Sequence, residues 1–428
     1  MQNYVQSVAL CYADNIAGMG VGRDELEAEL SLLNHAVADT RYADAELAAV
    51  FNSARSRDDL ANLHAFAEDW RNRFSRIVVF GIGGSSLGAR TVLALKPRQS
   101  GDPEIVISDN LDSSGVADLL DPAGLSETGF LVISKSGGTA ETLSQAIAAI
   151  SSLRQVTSHS SLRDHVICMA EAGDNPLRKL ATKIGAPVID HDPNLGGRFS
   201  VLSTAILPAL FRGMNAEALR DGALEVIEAC LATESAANFA PSMGAAVNVA
   251  LQKNRGLNQA VIKVYHDRMH GFGLWHRQLW AESLGKSGFG TTPINAVGPV
   301  DQHSQLQLYL DGPVDKFFTV LAFNHAGLGP KVDSSFAAEI GLDYLGDKQI
   351  GDIVGAMQRA TIETLAKRGR PVRTLSMQKL DEATLGALFM HFMLETVFSA
   401  KLWGVNPFGQ PAVEESKILA RHYLSETK

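Results

Sequence analysis

From residue 74 onward the chain repeats one pattern: a short apolar run, a break at small or acidic residues, then a stretch with helical spacing. The runs lie at residues 77–80, 105–108, 131–134, 166–170 and 188–190, and they are apolar at successive rather than alternate positions. Strands of that kind are covered on both faces, and the helical stretches between them supply the crossovers of a parallel sheet. The pattern therefore predicts an α/β fold with a parallel sheet flanked by helices. A second set of runs at 260–265, 293–297 and 317–323, with a helical stretch at 273–284 between the first two, predicts a second unit of the same class. Helical spacing at 25–36, 44–54 and 58–74 reads as a cover at the N-terminal end. A helix over 205–232 bridges to the second unit, and helices at 385–403 and 411–423 end the chain. The expected organisation is a helical cover over 1–73, a first domain over 74–210, linking helices and a second domain over 211–380, and C-terminal helices over 381–428.

One break stands out chemically. After the run Phe130-Leu131-Val132-Ile133 comes Ser134-Lys135-Ser136-Gly137-Gly138-Thr139-Ala140-Glu141-Thr142, and then helical residues. A strand that ends in small and hydroxyl residues and re-enters as a helix leaves several backbone N–H groups aimed at one spot, where the helix dipole favours an anion. Ser134, Ser136, Thr139 and Thr142 add hydroxyl donors, Gly137 and Gly138 let the backbone come close, and Lys135 supplies a single positive charge. The stretch predicts a phosphate cradle. The plainer reading, a capped helix start with Glu141 in its first turn, is compatible with it, because capping geometry is what builds an anion site.

The cradle must work locally, because the formal net charge is −9 and Lys/Arg blocks are absent. That balance argues against nucleic-acid and membrane-surface partners and leaves a small anionic molecule. No apolar run is expected to approach the roughly 20 residues that cross a bilayer. Cys11, Cys168 and Cys230 are widely spaced and odd in number, which suits a reducing cytoplasm better than a disulfide framework or a metal site.

Further motifs compete. Gly81-Ile82-Gly83-Gly84-Ser85-Ser86-Leu87-Gly88 follows the first run. It fails the dinucleotide fingerprint, which needs a third Gly where Ser86 stands, but residues 84–88 match the GxSxG elbow of serine hydrolases. A second oxygen- or phosphate-binding loop is the favoured reading and a hydrolase the rival. His266 and His270 have zincin spacing without the general-base Glu, so loop histidines are expected rather than a metal site. Asn194-Leu195-Gly196-Gly197-Arg198-Phe199-Ser200 presents one arginine on a turn. In Gln278-Leu279-Trp280-Ala281-Glu282-Ser283-Leu284-Gly285-Lys286 the carboxylate of Glu282 sits in the last turn of a helix, where it opposes the dipole and its charged form is disfavoured. His303 lies in a loop, Gly298 to Gln305, that opens into a helix, and Lys417 follows Gln410-Pro411-Ala412-Val413-Glu414-Glu415-Ser416 near the start of the final helix.

In order and approximate spacing these stretches resemble the signatures of the glucose-6-phosphate isomerase (phosphoglucose isomerase) family, from about residue 77 to residue 417. The resemblance implies two sugar-isomerase (SIS-type) domains with helical extensions, and reversible isomerisation of D-glucose 6-phosphate and D-fructose 6-phosphate in glycolysis and gluconeogenesis. Carried over by motif, it places phosphate contacts on Ser134, Ser136, Thr139 and Thr142, and sugar or phosphate contacts on Gly84 and Ser85. It places the enediolate-stabilising cation on Arg198, the proton-transfer carboxylate on Glu282, the ring-opening histidine on His303 and the C-terminal lysine on Lys417, with Gln410 lining the site. It also implies a homodimer in which His303 comes from the neighbouring subunit. Gly409 and Ala412 depart from the family's C-terminal pattern, which commonly has Asp and Gly there. No metal or organic cofactor is expected, because the sugar carbonyl is its own electron sink. An isomerase of a related hexose phosphate or sulfonated hexose, and a noncatalytic sugar-phosphate-binding protein, are the alternatives; the second has no use for proton-transfer groups.

Overall fold

The computed structural model describes residues 3–426. Ten strands form two five-stranded sheets. They are β1 (Val5–Leu10), β2 (Arg76–Phe80), β3 (Glu104–Ser108), β4 (Thr128–Ile133), β5 (Val166–Glu171), β6 (Val188–His191), β7 (Gln259–Val264), β8 (Thr292–Val297), β9 (Lys316–Phe323) and β10 (Val372–Met377). The first sheet runs β3-β2-β4-β5-β6 and every pair in it is parallel. The second runs β1-β10-β9-β7-β8 and is parallel except for β1, which lies antiparallel on the edge.

Each central strand buries both faces, as its unbroken apolar run requires. Ile77 and Val79 of β2 face a large core shared with the N-terminal helices and with one face of the second sheet, whereas Val78 and Phe80 face a smaller core under the helices Ala140–Val156 and Pro176–Ile184. Ile262 and Val264 of β7 join the shared core, while Val261 packs with Phe318 and Val320 against the helix Ile350–Lys367 on the outer side. Helices thus fill the space between the sheets and cover both outer faces.

The shared core is built around the helix Glu382–Trp403, which is apolar on nearly all sides and buried along nearly its whole length. By length and composition it meets the requirement for crossing a bilayer, against the expectation that no run comes near it, but 94% of its apolar window is buried inside the protein. Its one carboxylate in the interior, Glu395, is held by Arg373 of β10 at 2.8 Å and by His391 at 3.0 Å, and Tyr4, just before β1, hydrogen-bonds His391 at 2.7 Å. Burial raises the pKa of Glu395, and Arg373 and His391 together outweigh it and hold the group below the ordinary carboxylate range.

Two further expectations need correction, and two elements were not foreseen. The N-terminal region is not wholly helical, because β1 opens the chain and completes the second sheet. The expected single helix over 205–232 is broken at Gly213, which has φ +65°, into Ile206–Phe211 and Ala216–Ala232. The strand β10 and the helix Ile350–Lys367 went unrecognised.

The helices Ala216–Ala232 and Glu382–Trp403 touch backbone to backbone at glycines. A Cβ on Gly386 would lie 1.8 Å from the Leu219 carbonyl oxygen, and one on Gly222 would lie 1.8 Å from that of Ala383. Gly386→Ala should force the pair apart at a cost of about 1–3 kcal/mol, read as a lowered apparent Tm. An unchanged Tm would mean that this contact is not tight.

Candidate active site

The strand order of the first sheet reverses at β2, with β3 on one side and β4 on the other. In open α/β sheets ligands bind beyond the carboxyl ends of the strands at such a switch point. The two loops that leave it are the Gly-rich loop after β2 and the hydroxyl-rich loop after β4. They touch: a Cβ on Gly81 would lie 3.2 Å from the carbonyl oxygen of Ile133.

The loop after β4 has the form of the expected cradle. Gly137 takes φ +62°, and the helix begins at Ala140 with Thr139 as its cap. The hydroxyls of Ser134 and Thr139 are 2.9 Å apart, and Ser136 Oγ accepts from the N–H of Gly138 at 3.3 Å. Thr142 is buried, and its Oγ1 has no hydrogen-bond partner among the described residues. A buried hydroxyl left unsatisfied in the first turn of a helix is available to an anion. Lys135 is half-buried beside this loop, its carbonyl fixed by the N–H of Glu171 at 2.9 Å.

The loop after β2 leads from the cradle to the arginine. Gly84 is packed so closely on the turn Gly197–Phe199 that a Cβ would lie 2.1 Å from the carbonyl of Gly197. Only glycine permits that approach. A Cβ on Gly83 would lie 2.7 Å from Nε2 of Gln278, which ties the same loop to the helix His270–Leu284. Ser85 is half-buried on this loop. Ser86 is not an exposed nucleophile, since it is fully buried and donates its hydroxyl to the Gly83 carbonyl at 3.1 Å, so the hydrolase rival fails.

Arg198 stands at the centre. Its side chain is 3% exposed, yet all five of its N–H groups have acceptors. Nε donates to Ser283 Oγ at 2.7 Å; Nη1 to Glu282 Oε2 at 3.2 Å and Gln410 Oε1 at 2.9 Å; Nη2 to the carbonyls of Pro407 at 2.6 Å and Gly409 at 2.9 Å. Trp275 Nε1 donates to the Arg198 carbonyl at 3.2 Å and fixes the backbone behind it. Burial lowers the pKa of the guanidinium, and Glu282 opposes that shift.

Glu282 lies in the last turn of its helix, as expected, and is half-buried. Besides Arg198 it has Gln278, whose Nε2 donates to Oε1 at 3.1 Å. Oε1 of Gln278 is buried and has no hydrogen-bond partner among the described residues, which leaves an acceptor for a ligand hydroxyl. Gly409 contributes a carbonyl at φ +68°, a backbone role that uses the very position where the expected family pattern has Asp.

The structure brings Glu282, Arg198 and Gln410 together and sets Gly84 against them. It leaves His303 and Lys417 apart. His303 is exposed on the loop after β8, and Lys417 is exposed on the helix Glu414–Glu426, where its Nζ pairs with Glu414 at 2.6 Å. That helix starts at 414, so Lys417 lies about one turn in, near its start as expected. His266 caps a turn by accepting from the N–H of Arg268 at 3.2 Å, and among the described residues no group of three His, Cys, Asp or Glu side chains is placed to hold a metal ion. Gln278, Ser283 and Lys286 were missed as functional residues. Part of the signal was present, because 278 and 282 stand four residues apart on one helical face, whereas Lys286 lies in the turn beyond the helix.

The doubly wound pair of sheets, with a hydroxyl-rich loop at one switch point and a carboxylate–arginine pair on the turn that the neighbouring loop packs against, fits a phosphosugar isomerase. The phosphoglucose isomerase family model matches residues 62–297. A probable glucose-6-phosphate isomerase of Methanococcus maripaludis is 32% identical over 97% of this chain and 93% of its own length. A solved structure of a hypothetical protein from Thermus thermophilus superposes with a TM-score of 0.85 at 28% identity, covering 98% of this chain and 99% of that one. A glucose-6-phosphate isomerase of Chlamydia trachomatis shares the fold, with a TM-score of 0.82 at 21% identity over 99% of this chain and 89% of its own. The chain belongs to the phosphoglucose isomerase family, the aldose–ketose isomerases that interconvert glucose 6-phosphate and fructose 6-phosphate.

The packing of Gly84 on Gly197 makes a direct test of the site. Gly84→Ala must push the arginine turn away, and a displacement near 1 Å at a reacting group costs about 100-fold in rate. We expect kcat/KM to fall by about that factor; wild-type turnover would show that the turn tolerates the shift.

Proposed function

We propose that Glu282 carries the proton of the isomerisation and Arg198 stabilises the intermediate, while the loop 134–142 holds the phosphate. The observation that carries this reading is the direct pairing of a half-buried carboxylate with a buried, fully bonded guanidinium, on a turn packed against the loop that also touches the end of β4. The phosphate binds at the helix start through Ser134, Ser136, Thr139 and Thr142, with Lys135 nearby, and the sugar extends along Gly84 and Ser85 towards Arg198. Anchoring by the phosphate converts remote binding energy into orientation of the reacting carbons.

In the open-chain aldose, Glu282 takes the proton from C2. The electrons of that C–H bond form the C1–C2 double bond, and the carbonyl electrons move onto O1. The resulting cis-enediolate carries its charge on oxygen, where the Arg198 guanidinium holds it. Glu282 then returns the proton to C1, while the hydroxyl proton on O2 passes to O1, which leaves a ketone at C2 and a hydroxyl on C1. His303 and Lys417 are the acid and base for opening the ring, and Gln410 lines the site. Three cysteines, each buried and free, suit the reducing cytoplasm in which such a reaction would run.

The exposure of both ring-opening groups supports a homodimer in which His303 reaches the neighbouring subunit's site. Leu308 and Val300 near His303, and Ile418, Tyr423 and Leu424 on the C-terminal helix, are exposed apolar side chains of the kind a subunit contact covers.

Glu282→Gln should bind fructose 6-phosphate but lose exchange of the sugar C–H proton with solvent; exchange at the normal rate would remove Glu282 as the base. Mixing the inactive variants Glu282→Gln and His303→Ala tests the dimer. If His303 acts across the interface, a mixed dimer has one intact site, and random re-pairing restores about a quarter of wild-type activity. No recovery on mixing would place His303 in its own subunit's site.

A further inference from the structure

The segment that follows the long buried helix is gripped by two cations at once. Arg198 takes the carbonyls of Pro407 and Gly409, and Lys286 takes those of Asn406 and Phe408, the latter at 2.9 Å. Four consecutive carbonyls, 406 to 409, therefore accept from side chains rooted elsewhere in the chain. Pro407 is buried and Phe408 half-buried, and such carbonyls need partners. This cross-binding dictates the path of the segment.

Lys286 is well placed to hold it. It follows the carboxylate helix in a tight turn, where its own N–H donates to the Leu284 carbonyl at 2.8 Å and its carbonyl accepts from the N–H of Phe289 at 2.9 Å. Ser287 next to it takes the left-handed φ of 53°, which closes the turn. The lysine stem is thereby aimed from the end of the Glu282 helix at the 406–409 segment. Gln410, whose Oε1 accepts from Arg198, is the next residue of that segment, and the helix bearing Lys417 begins four residues later.

We propose that Lys286 is a positioning residue: by tying residues 406–409 to the end of the carboxylate helix it sets the place of Gln410, of the two carbonyls that hold Arg198, and of the arm that carries Lys417. The inference rests on the reading of Glu282 and Arg198 as the reacting pair. Lys286 itself acts through the segment rather than on the sugar. The charged groups that act on it are Arg198 and Glu282. Burial, then Arg198, push its pKa down to about 8, against the pull of Glu282. As the pH rises through that value the ammonium becomes an amine, a weaker donor to carbonyls.

The test compares wild type, Lys286→Met and Lys286→Arg by amide hydrogen exchange and by fructose 6-phosphate kinetics. Loss of charge-assisted bonds of this kind is worth about 10- to 100-fold. In Lys286→Met the amides of Val405 and Phe408, which donate to Ala400 O and Asn406 Oδ1, should exchange faster, and kcat should fall by that factor with KM within about twofold. Lys286→Arg keeps its charge at high pH and should bring exchange back towards wild type and flatten the alkaline fall in kcat. Wild type gives a measurement free of any folding defect: the opening of residues 404–413, corrected for base-catalysed exchange, should increase between pH 7 and pH 9. Unchanged exchange in Lys286→Met, or faster exchange with a wild-type kcat, overturns the proposal. If Glu282→Gln keeps proton exchange, the site reading falls while the exchange data still report on Lys286; if Glu282→Gln is inactive and residues 404–413 are unaffected, the site reading stands and this inference falls.

Discussion

A buried guanidinium with an unpaired N–H is costly, and Arg198 avoids that cost only if three distant parts of the chain meet around it. Ser283 and Glu282 come from the helix after β7, Gln410 and the carbonyls of Pro407 and Gly409 from the segment near the C-terminus, and the arginine itself from the turn after β6. The two sheets and the C-terminal region are thus fixed to one another by a single saturated cation. Saturation also orders the chemistry. An arriving oxyanion must replace an acceptor already in place, and of the five the Glu282 oxygen is the most distant, on a side chain 32% exposed. In the proposed reaction Glu282 is neutralised by the C2 proton as charge develops on the intermediate's oxygen, so that charge can take over the place of the carboxylate on the guanidinium.

The two domains have the same strand order around their first strand, yet they contribute different things. In the first, the loops after β2 and β4 meet at the switch point and, in the proposed reading, build the binding surface. In the second, the corresponding point between β7 and β9 is bridged, because His325 after β9 hydrogen-bonds the Tyr265 carbonyl at 2.7 Å. That domain serves the site through its crossover helix instead, which carries Gln278, Glu282 and Ser283 back across the shared core to the first domain. In the proposed reading one architecture therefore provides the phosphate-binding loops in one copy and the helix of the proton-transfer carboxylate in the other.

The parallel cores were legible because strands buried on both faces are written as continuous apolar runs; β2, β4, β5, β7, β8 and β9 fell within a few residues of the expected places. The edge strand β1 was not legible. Its burial alternates between exposed and half-buried residues, and what holds it is a partner far away in sequence, Ser376 opposite Val5, together with Tyr4 on His391. Long-range pairing of that kind leaves no local signal. At the site, Glu282, Arg198 and Gln410 were legible as motifs, but their mutual contact was not, nor were the carbonyls of 406–409, since a backbone acceptor has no residue type to read. Gly409 looked like a departure from a pattern; in the fold it is a turn residue whose useful atom is common to every amino acid.

What the knot around Arg198 leaves out is as informative as what it includes. Proton transfer between adjacent carbons creates charge on oxygen and gains most from donors fixed before the substrate arrives, and in the proposed reading the donor, Arg198, is buried and cross-bonded. Ring opening moves protons between a hemiacetal and groups that must first admit a bulky cyclic sugar. His303 and Lys417 are exposed and lie on elements outside the knot, a loop after β8 and a helix with no buried residue. In the proposed dimer they arrive from a neighbour and from a tethered arm, after the sugar is anchored. The same chain thereby keeps its electrostatic preorganisation rigid and its access route adjustable, and the carbonyl clamp on residues 406–409 is where the adjustable part is joined to the rigid one.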